Sequence, residues 1–349
     1  MGFRPHRKGP HNPVESTPTL APGWTRWTFH VDGTSVGGFP TALLRFGGAA
    51  RAVHADAAGN RATLHSVDIG FDTDGMVRTL LSMAATDGDR PLPLDPLIGH
   101  STAAGFRARL QALWNDHPEP SPLATFLLDD VPGIALVATY AEQYEDSRSG
   151  SDVIGQFLAA SPEAIDFQSG TCAGWAEEAG LIKTLRNERE LLTPVGPLAP
   201  SLWDTGHDTT SSNDAPVGEW HPIAPLVSDS TRRIRRIDLG PETAQGRRFV
   251  THFRDSHADA DGVERVLHEY LVEGTVSDGA IASLRAEARV LPWQECPGAV
   301  ASAQRAVGHR VAGLRSLVRS DFRGESTCTH LNDTVRSLES LAAMAPHSA

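Results

Sequence analysis

Alternation of apolar and polar residues predicts two strands, each ending in a tight turn. From His65 to Phe71, and again from Val266 to Val272, every second residue is apolar, aromatic or histidine, which places these side chains on one face of a strand. Each stretch leads into an Asp-Gly dipeptide, a pair that favours positive φ and a hairpin: Asp74-Gly75 and Asp278-Gly279. Both histidines are therefore expected on a mostly apolar strand face.

Helical periodicity follows each predicted hairpin. Apolar residues recur three or four positions apart from Phe106 to Trp114 and from Leu314 to Phe322. A third periodic run from Leu331 to Leu341 predicts a helix over residues 329–342. Strands followed by helices favour an α+β fold with antiparallel sheets over a doubly wound fold.

Three pairs of similar segments occur in the same order along the chain. "TRWTFHVD" (25–32) is similar to "TRRIRRID" (231–238), and "LHSVDIGFDTDGMV" (64–77) to "LHEYLVEGTVSDGAI" (267–281). "IGHSTAAGFRARLQAL" is likewise similar to "VGHRVAGLRSLV". The order predicts an internal duplication into two pseudo-repeated units, each an antiparallel hairpin or sheet followed by helices.

This duplication sets the expected domain organisation. Residues 1–20 are predicted to be a disordered N-terminus, and residues 21–140 to be the first repeat unit. Residues 141–229 are a connecting segment with short helices and a long strap, rich in Pro, Gly, Ser and Asp, which could cover the junction of the units. Residues 230–343 are the second unit.

Composition narrows the possible partners. The 349 residues carry a formal net charge of −12, so no nucleic-acid partner is expected. The basic run 232–236 is predicted to be an edge strand with a solvated face. Three cysteines favour reduced thiols in a cytoplasm, and neither a secretory signal nor an apolar membrane span is recognisable. We expect a small-molecule ligand, no membrane partner, and a chain that could form a homo-oligomer.

Candidate chemistry concentrates in "CTHLND", residues 328–333. Cys328 falls at the N-terminus of the predicted helix, where the helix dipole lowers a thiol pKa. His330 and Asp333 are three residues apart and can meet on one face, which Arg336 continues. A purely structural interpretation also fits, in which a threonine caps the helix while the cysteine and histidine pack in the core.

The second unit contains further possible ligands. Four of its side chains would suit Zn²⁺ or another transition metal, although their spacing matches no zinc signature: His268, Cys296, Cys328 and His330. No nucleotide or flavin cofactor is expected, because the chain has neither a Gly-x-Gly-x-x-Gly fingerprint nor a Walker-type loop.

The segments "LHEY", "LPWQECPGA" and "GLRSLVRSDFRGESTCTHLNDTVRSL" resemble the bacterial family called domain of unknown function 2889, over about residues 230–342 and most specifically at "CTHL". The first unit and the connecting segment are similar to those of longer members, for instance at "FLLDDVPG" and "CAGW". A threonine at position 327 departs from the family's usual glycine. The resemblance marks several residues and supplies no reaction: Asp255, His268, Glu269, Cys296, Cys328 and His330.

Two functions are compatible with these residues. The first is a lyase, isomerase or hydrolase that acts on a small apolar molecule, with His268 or His330 as base and Glu269 or Asp333 as its orienting acid. Arg336 or Arg254 would then bind an anionic group. The second is a non-catalytic ligand-binding or assembly protein with a structural Cys/His site. An open coordination position would favour the enzyme, and a closed four-ligand site the structural protein.

Overall fold

The computed structural model describes residues 8–37, 43–75, 77–138, 140–150, 165–166, 169–188, 190–203 and 219–344. Within these ranges nine strands form one antiparallel sheet in the order β5-β4-β3-β2-β1-β6-β7-β8-β9. The strands are β1 (Thr25–Val36), β2 (Leu43–Ala55), β3 (Arg61–Asp74), β4 (Leu80–Asp87), β5 (Arg90–Pro91), β6 (Ser230–Leu239), β7 (Arg247–Ala258), β8 (Glu264–Ser277) and β9 (Ala280–Val290).

Helices cover one face of this sheet. They are α1 (Phe106–Leu113), α2 (Pro122–Leu128), α3 (Val131–Val137), α4 (Tyr140–Ser149), α5 (Gly180–Glu188), α6 (Leu314–Asp321), α7 (Thr329–Ser337) and α8 (Leu341–Met344), with short 3₁₀ helices at Asp95–Leu97, Ala173–Trp175, Cys296–Ala306 and Leu338–Ser340. The antiparallel strands and helices predicted from the sequence are confirmed. The strands form one sheet, because β1 pairs with β6 along almost its whole length.

The two halves of the sheet match in register. At its centre Phe29 of β1 pairs with Arg235 of β6. In the first half a bulge at Leu64 falls beside the Ala52–His65 pair. In the second half a bulge falls at the residue before His268, beside its pair with Asp255. The irregularities therefore recur at corresponding places in β2–β3 and β7–β8.

The other face of the sheet is covered by extended chain. Residues 8–20, predicted to be disordered, lie against the sheet over their whole length: the Asn12 amide donates to the Arg289 carbonyl, and the Val14 amide to Glu269 at 2.7 Å. The described part of the predicted strap packs here too, with Leu202 and Trp220 against Ile234 of β6. Backbone hydrogen bonds hold residues 8–20 against the sheet. Leu202 and Trp220 of the strap are held by apolar burial on this face, which is not the face that the helices cover.

The basic run 232–236 is not an edge strand, as predicted, but part of β6 at the centre of the sheet, where every residue is buried. Burial is tolerated because each guanidinium meets a carboxylate. The four pairs are Arg232 with Asp32, Arg233 with Asp255, Arg235 with Asp130, and Arg236 with Asp238. Successive side chains of the run point to opposite faces of the sheet, and both faces are covered by protein rather than by solvent.

One helical stretch, Pro122–Ser149, is long and apolar enough to cross a membrane, but 76% of its most apolar window is buried inside the protein. It comprises α2, α3 and α4, which pack on β1, β2, β6 and β7. The stretch is therefore apolar because its side chains pack in the protein core.

Replacing Arg235 by Leu should lower the free energy of unfolding by about 3–5 kcal/mol, because Asp130 would stay buried without its 2.8 Å partner. Adding Asp130→Asn should restore at least half of the loss, since no uncompensated charge remains. Arg45→Leu, which removes an exposed pair with Asp72, should cost at most about 1 kcal/mol. Denaturant titration measures all three; equal losses for Arg235→Leu and Arg45→Leu would contradict the expectation.

Candidate functional site

Three ligand-type side chains converge where α7 meets the helix-covered face of the sheet. Asp255 of β7 and His268 of β8 are directly opposite in the strand register, and α7 brings His330 onto them. Asp255 Oδ2 lies 3.8 Å from His268 Nδ1 and 3.5 Å from His330 Nε2. One ligand atom from each residue falls within 4.8 Å of the others. We call this group the Asp255 cluster.

The two imidazoles are held neutral. Their rings stack with centroids 3.6 Å apart. Burial lowers the pKa of His330 to about 3, helped by the charge of Arg233. Burial, followed by the neighbouring His330, lowers the pKa of His268 well below its usual value. Neutral imidazole is the form that binds a metal ion.

Both nitrogens that face the carboxylate are buried without a hydrogen-bond partner, His268 Nδ1 and His330 Nε2. Buried polar atoms without a partner are costly and uncommon in folded proteins. A cation bound between these nitrogens and the carboxylate oxygen would satisfy all three atoms.

Arg233 holds the carboxylate of the cluster. Its Nε donates to Asp255 Oδ1 at 2.7 Å and its Nη2 to Oδ2 at 2.8 Å. Its Nη1 reaches Asp333 Oδ2 on α7 at 3.1 Å. The same guanidinium therefore contacts both the strand that carries Asp255 and the helix that carries His330.

Of the four predicted metal ligands, the structure brings together the two histidines. Cys328, the residue before α7, has its sulfur 3.8 Å from His330 Nδ1, on the opposite side of the ring from the cluster. The two ring nitrogens point in different directions, so this sulfur cannot bind the same ion as His330 Nε2. Cys296 lies near Cys328, outside the Asp255 cluster, and the hydroxyl of Tyr270 is close to both thiols.

Glu269 lies on the other face of the sheet from His268, because neighbouring strand residues point to opposite faces. It accepts hydrogen bonds from Arg254 Nε at 2.6 Å and from His252 Nε2 at 2.8 Å. Arg254 also donates to the carbonyl of Val14. The predicted acid Glu269 and the predicted anion-binding Arg254 thus belong to one buried network under the N-terminal segment.

Asp333 and Arg336 pair with each other and with the helices of the first half. Arg336 Nη1 donates to Asp333 Oδ1 at 2.5 Å, and its Nε to Asp129 Oδ2 at 2.6 Å. Asp333 is within electrostatic range of His330 without a hydrogen bond to it. These two residues connect α7 to the first half of the chain and lie behind the Asp255 cluster.

Asp255 is the residue that reasoning from the sequence pattern underrated. The sequence offered it as one of several possible ligands in the second unit and the family resemblance marked it, but the predicted metal set did not include it. A stronger signal was present in the pattern: Asp255 lies two residues from Phe253 and from His257, on one strand face with both.

The first half has no counterpart of this cluster among its described residues. His65 occupies the position of His268 but pairs with Asp87 at 2.6 Å, and Ala52 stands opposite it. The two histidines do not meet: β2, β1, β6 and β7 separate their strands, about 24 Å at the usual strand spacing.

Comparison with known proteins agrees with the resemblance in the sequence. Residues 231–344 match the family described as a protein of unknown function, DUF2889. The matched range contains β6–β9, α6–α8 and all three residues of the Asp255 cluster. No curated protein and no solved structure shows a significant match.

His252 should make the fold sensitive to acid. Burial lowers its pKa to about 4, outweighing the opposing effect of Glu269. Between about pH 6.5 and pH 4 the unfolded chain therefore binds a proton that the folded chain does not, so stability should fall by up to about 3 kcal/mol as the pH drops. His252→Gln, which can still donate to Glu269, should show a shallower loss in urea titrations over this range. His65→Gln, at a half-exposed histidine, serves as the control; parallel curves for His252→Gln and the wild type would refute the assignment.

Proposed function

We propose that the chain is a metal-dependent enzyme, a lyase, isomerase or hydrolase, whose ion is bound by Asp255, His268 and His330. The observation that carries this proposal is the convergence of two unpartnered imidazole nitrogens on a carboxylate oxygen. Two histidines and one carboxylate suit Zn²⁺ or another transition metal. No described cysteine takes part in this ligand set, in contrast to the set predicted from the sequence.

The number of ligands favours catalysis over a structural role. Structural zinc sites are closed by four protein ligands, whereas catalytic sites use three and leave a position for water or substrate. The Asp255 cluster offers three among the described residues. An ion there would polarise a substrate carbonyl or lower the pKa of a bound water. His268 and His330 would then act as ligands rather than as the free bases expected from the sequence.

The surroundings of the cluster favour a small and largely apolar substrate. Phe253 lies 6.1 Å from His330, ring centroid to ring centroid, and Tyr270 follows His268 on the same strand face. The side chains of His268 and His330 are 15% and 12% exposed, while their two facing nitrogens and the Asp255 side chain are buried, so a ligand would reach the cluster only after a movement of side chains. Aromatic neighbours of this kind would favour a molecule with few polar groups.

A second candidate is a cysteine nucleophile. His330 lies between a thiol on Nδ1 and a carboxylate on Nε2, an order that cysteine hydrolases also use. Burial, however, raises the pKa of Cys328 to about 11, so that at neutral pH the group is a thiol and not the nucleophilic thiolate. The metal site is therefore the better supported of the two.

We further propose that the halves arose by duplication and that the first half has kept only a structural role. The recurring bulges and the central Phe29–Arg235 pair support a common origin. At the position of Asp255 the first half has Ala52, and its carboxylate near His65, Asp87, is already paired with that histidine. On this proposal the chemistry would take place in the second half, which the DUF2889 family matches.

The purified protein should contain about one equivalent of zinc or a similar metal. His330→Asn and His268→Asn should each lose it while keeping a cooperative unfolding transition, because each removes one ligand. His65→Asn is the matched control at the corresponding histidine of the first half and should keep the metal, as should Cys328→Ser. Elemental analysis after dialysis provides the measurement. Full metal content in both cluster variants, or none in the wild type reconstituted with Zn²⁺, would refute the site.

The ion should have an open coordination position. Cobalt(II) exchanged into the site should change its visible absorption spectrum when azide is added, because azide can occupy the position that substrate or water would take. Removing the ion should lower the melting temperature only modestly. An azide-insensitive spectrum together with collapse of the fold on metal removal would instead support the alternative, a non-catalytic protein with a structural site.

A further inference from the structure

We propose that Arg233 is the positioning residue of the metal site: it sets the distance between Asp255 on the sheet and His330 on α7. The inference rests on the proposed function and extends it to a residue that contacts no ion. Asp255 and His330 lie on two separate elements, a strand and a helix, and something must hold them in one geometry. The guanidinium is 1% exposed and contacts both elements at once.

The contact with Asp255 fixes the direction of the carboxylate. Two parallel N–H···O bonds of 2.7 and 2.8 Å form a bidentate pair, the strongest and most directional way to hold a carboxylate. Each carboxylate oxygen has a further lone pair once it has accepted one of these bonds. The free lone pair of Oδ2 faces the two histidines: His330 Nε2 is 3.5 Å from Oδ2 and His268 Nδ1 is 3.8 Å from it. Arg233 thereby restrains both oxygens and leaves one lone pair of Oδ2 available to an ion.

The contact with Asp333 fixes the helix. Asp333 lies one turn after His330 on α7, and its Oδ2 accepts from Arg233 Nη1 at 3.1 Å. Because a helix turn is rigid, restraining Asp333 restrains the Cα of His330 as well. The chain from Asp255 through Arg233 and Asp333 to His330 therefore links the two ligands through short contacts.

Helix α3 closes over this linkage at a glycine. A Cβ added to Gly133 would come within 2.0 Å of Arg233 Nη1 and 2.5 Å of Asp333 Oδ2. Any larger residue must displace the contact between these two side chains. The close approach of α3 keeps the pair out of water, where an ion pair would be weak and mobile.

Arg235 provides the contrast. It is equally buried, on the same face of β6, and also contacts α7, through the Asp333 carbonyl and Ser337. Its carboxylate partner is Asp130, which is not part of the Asp255 cluster. Comparing the two arginines therefore separates positioning of the ligand from general support of the fold.

The test compares Arg233→Lys with Arg235→Lys, each of which keeps the charge and loses the planar fork. Zn²⁺ affinity is measured by competition with a chromophoric chelator, at a temperature where urea titration shows each variant to be folded. Arg233→Lys should bind Zn²⁺ about 10–100-fold more weakly, the usual effect of losing a residue that orients a ligand. Arg235→Lys should stay within about threefold of the wild type. The cobalt(II) spectrum should shift in the first variant alone, since only there does the ligand geometry change.

Gly133→Ala is the second variant, and it serves if Arg233→Lys does not fold. It changes no charge and should weaken Zn²⁺ binding by separating Arg233 from Asp333. Wild-type affinity in Arg233→Lys or in Gly133→Ala, or equal weakening in Arg235→Lys, would overturn the positioning role. Absence of Zn²⁺ binding by the wild type is a different result, because it removes the proposed function itself.

Discussion

The structure depends on pairing the buried guanidiniums of β6. This strand closes the sheet by joining its two halves, yet it places four arginines where no water reaches them. Unpaired, each would cost several kcal/mol, a large fraction of the stability of a typical domain. Arg236 pairs with Asp238 of the same strand, and the carboxylate partners of the other three come from β1, β7, α7 and the residue just before α3. Neutralising β6 therefore requires the sheet and the helices to assemble together.

In the first half, the positions of β1 that correspond to Arg233 and Arg235 of β6 have aromatic side chains, Trp27 and Phe29. Phe126 of α2 packs edge-on against Trp27 and Phe29 of β1, with ring centroids 5.8 and 5.0 Å away. In the second half Asp333 of α7 contacts Arg233 and Arg235 of β6 in the corresponding arrangement. The first half thus has an apolar contact where the second half has a charged one. The apolar contact needs no particular atom-to-atom geometry, whereas the charged contact fixes one.

Much of this architecture could be predicted from local pattern, and the site only in part. Period-two alternation located β3 and β8, and periodic apolar residues located α7, because both signals arise within one element. The position of β6 could not be predicted in this way. A run of arginines looks solvated until its partners are known, and the most distant of those partners, Asp32, is 200 residues from Arg232. Asp255 was underrated for the same reason, because its meaning depends on His330 of a distant helix.

The two halves of the sheet bury different groups at corresponding positions. Buried imidazole nitrogens without a hydrogen-bond partner are unfavourable for folding. Among the described residues they occur on four histidines, all in the second half, and two of these belong to the Asp255 cluster. At the corresponding positions the first half has no such unpaired group. Ala52 adds no charge, and His65 has a carboxylate partner, Asp87. Local departures from good packing mark functional sites when the rest of the fold is consistent. The buried aromatic contacts of Trp27, Phe29 and Phe126 need no ion, so the fold should persist when the cluster is empty, as expected of a site built for binding rather than for stability.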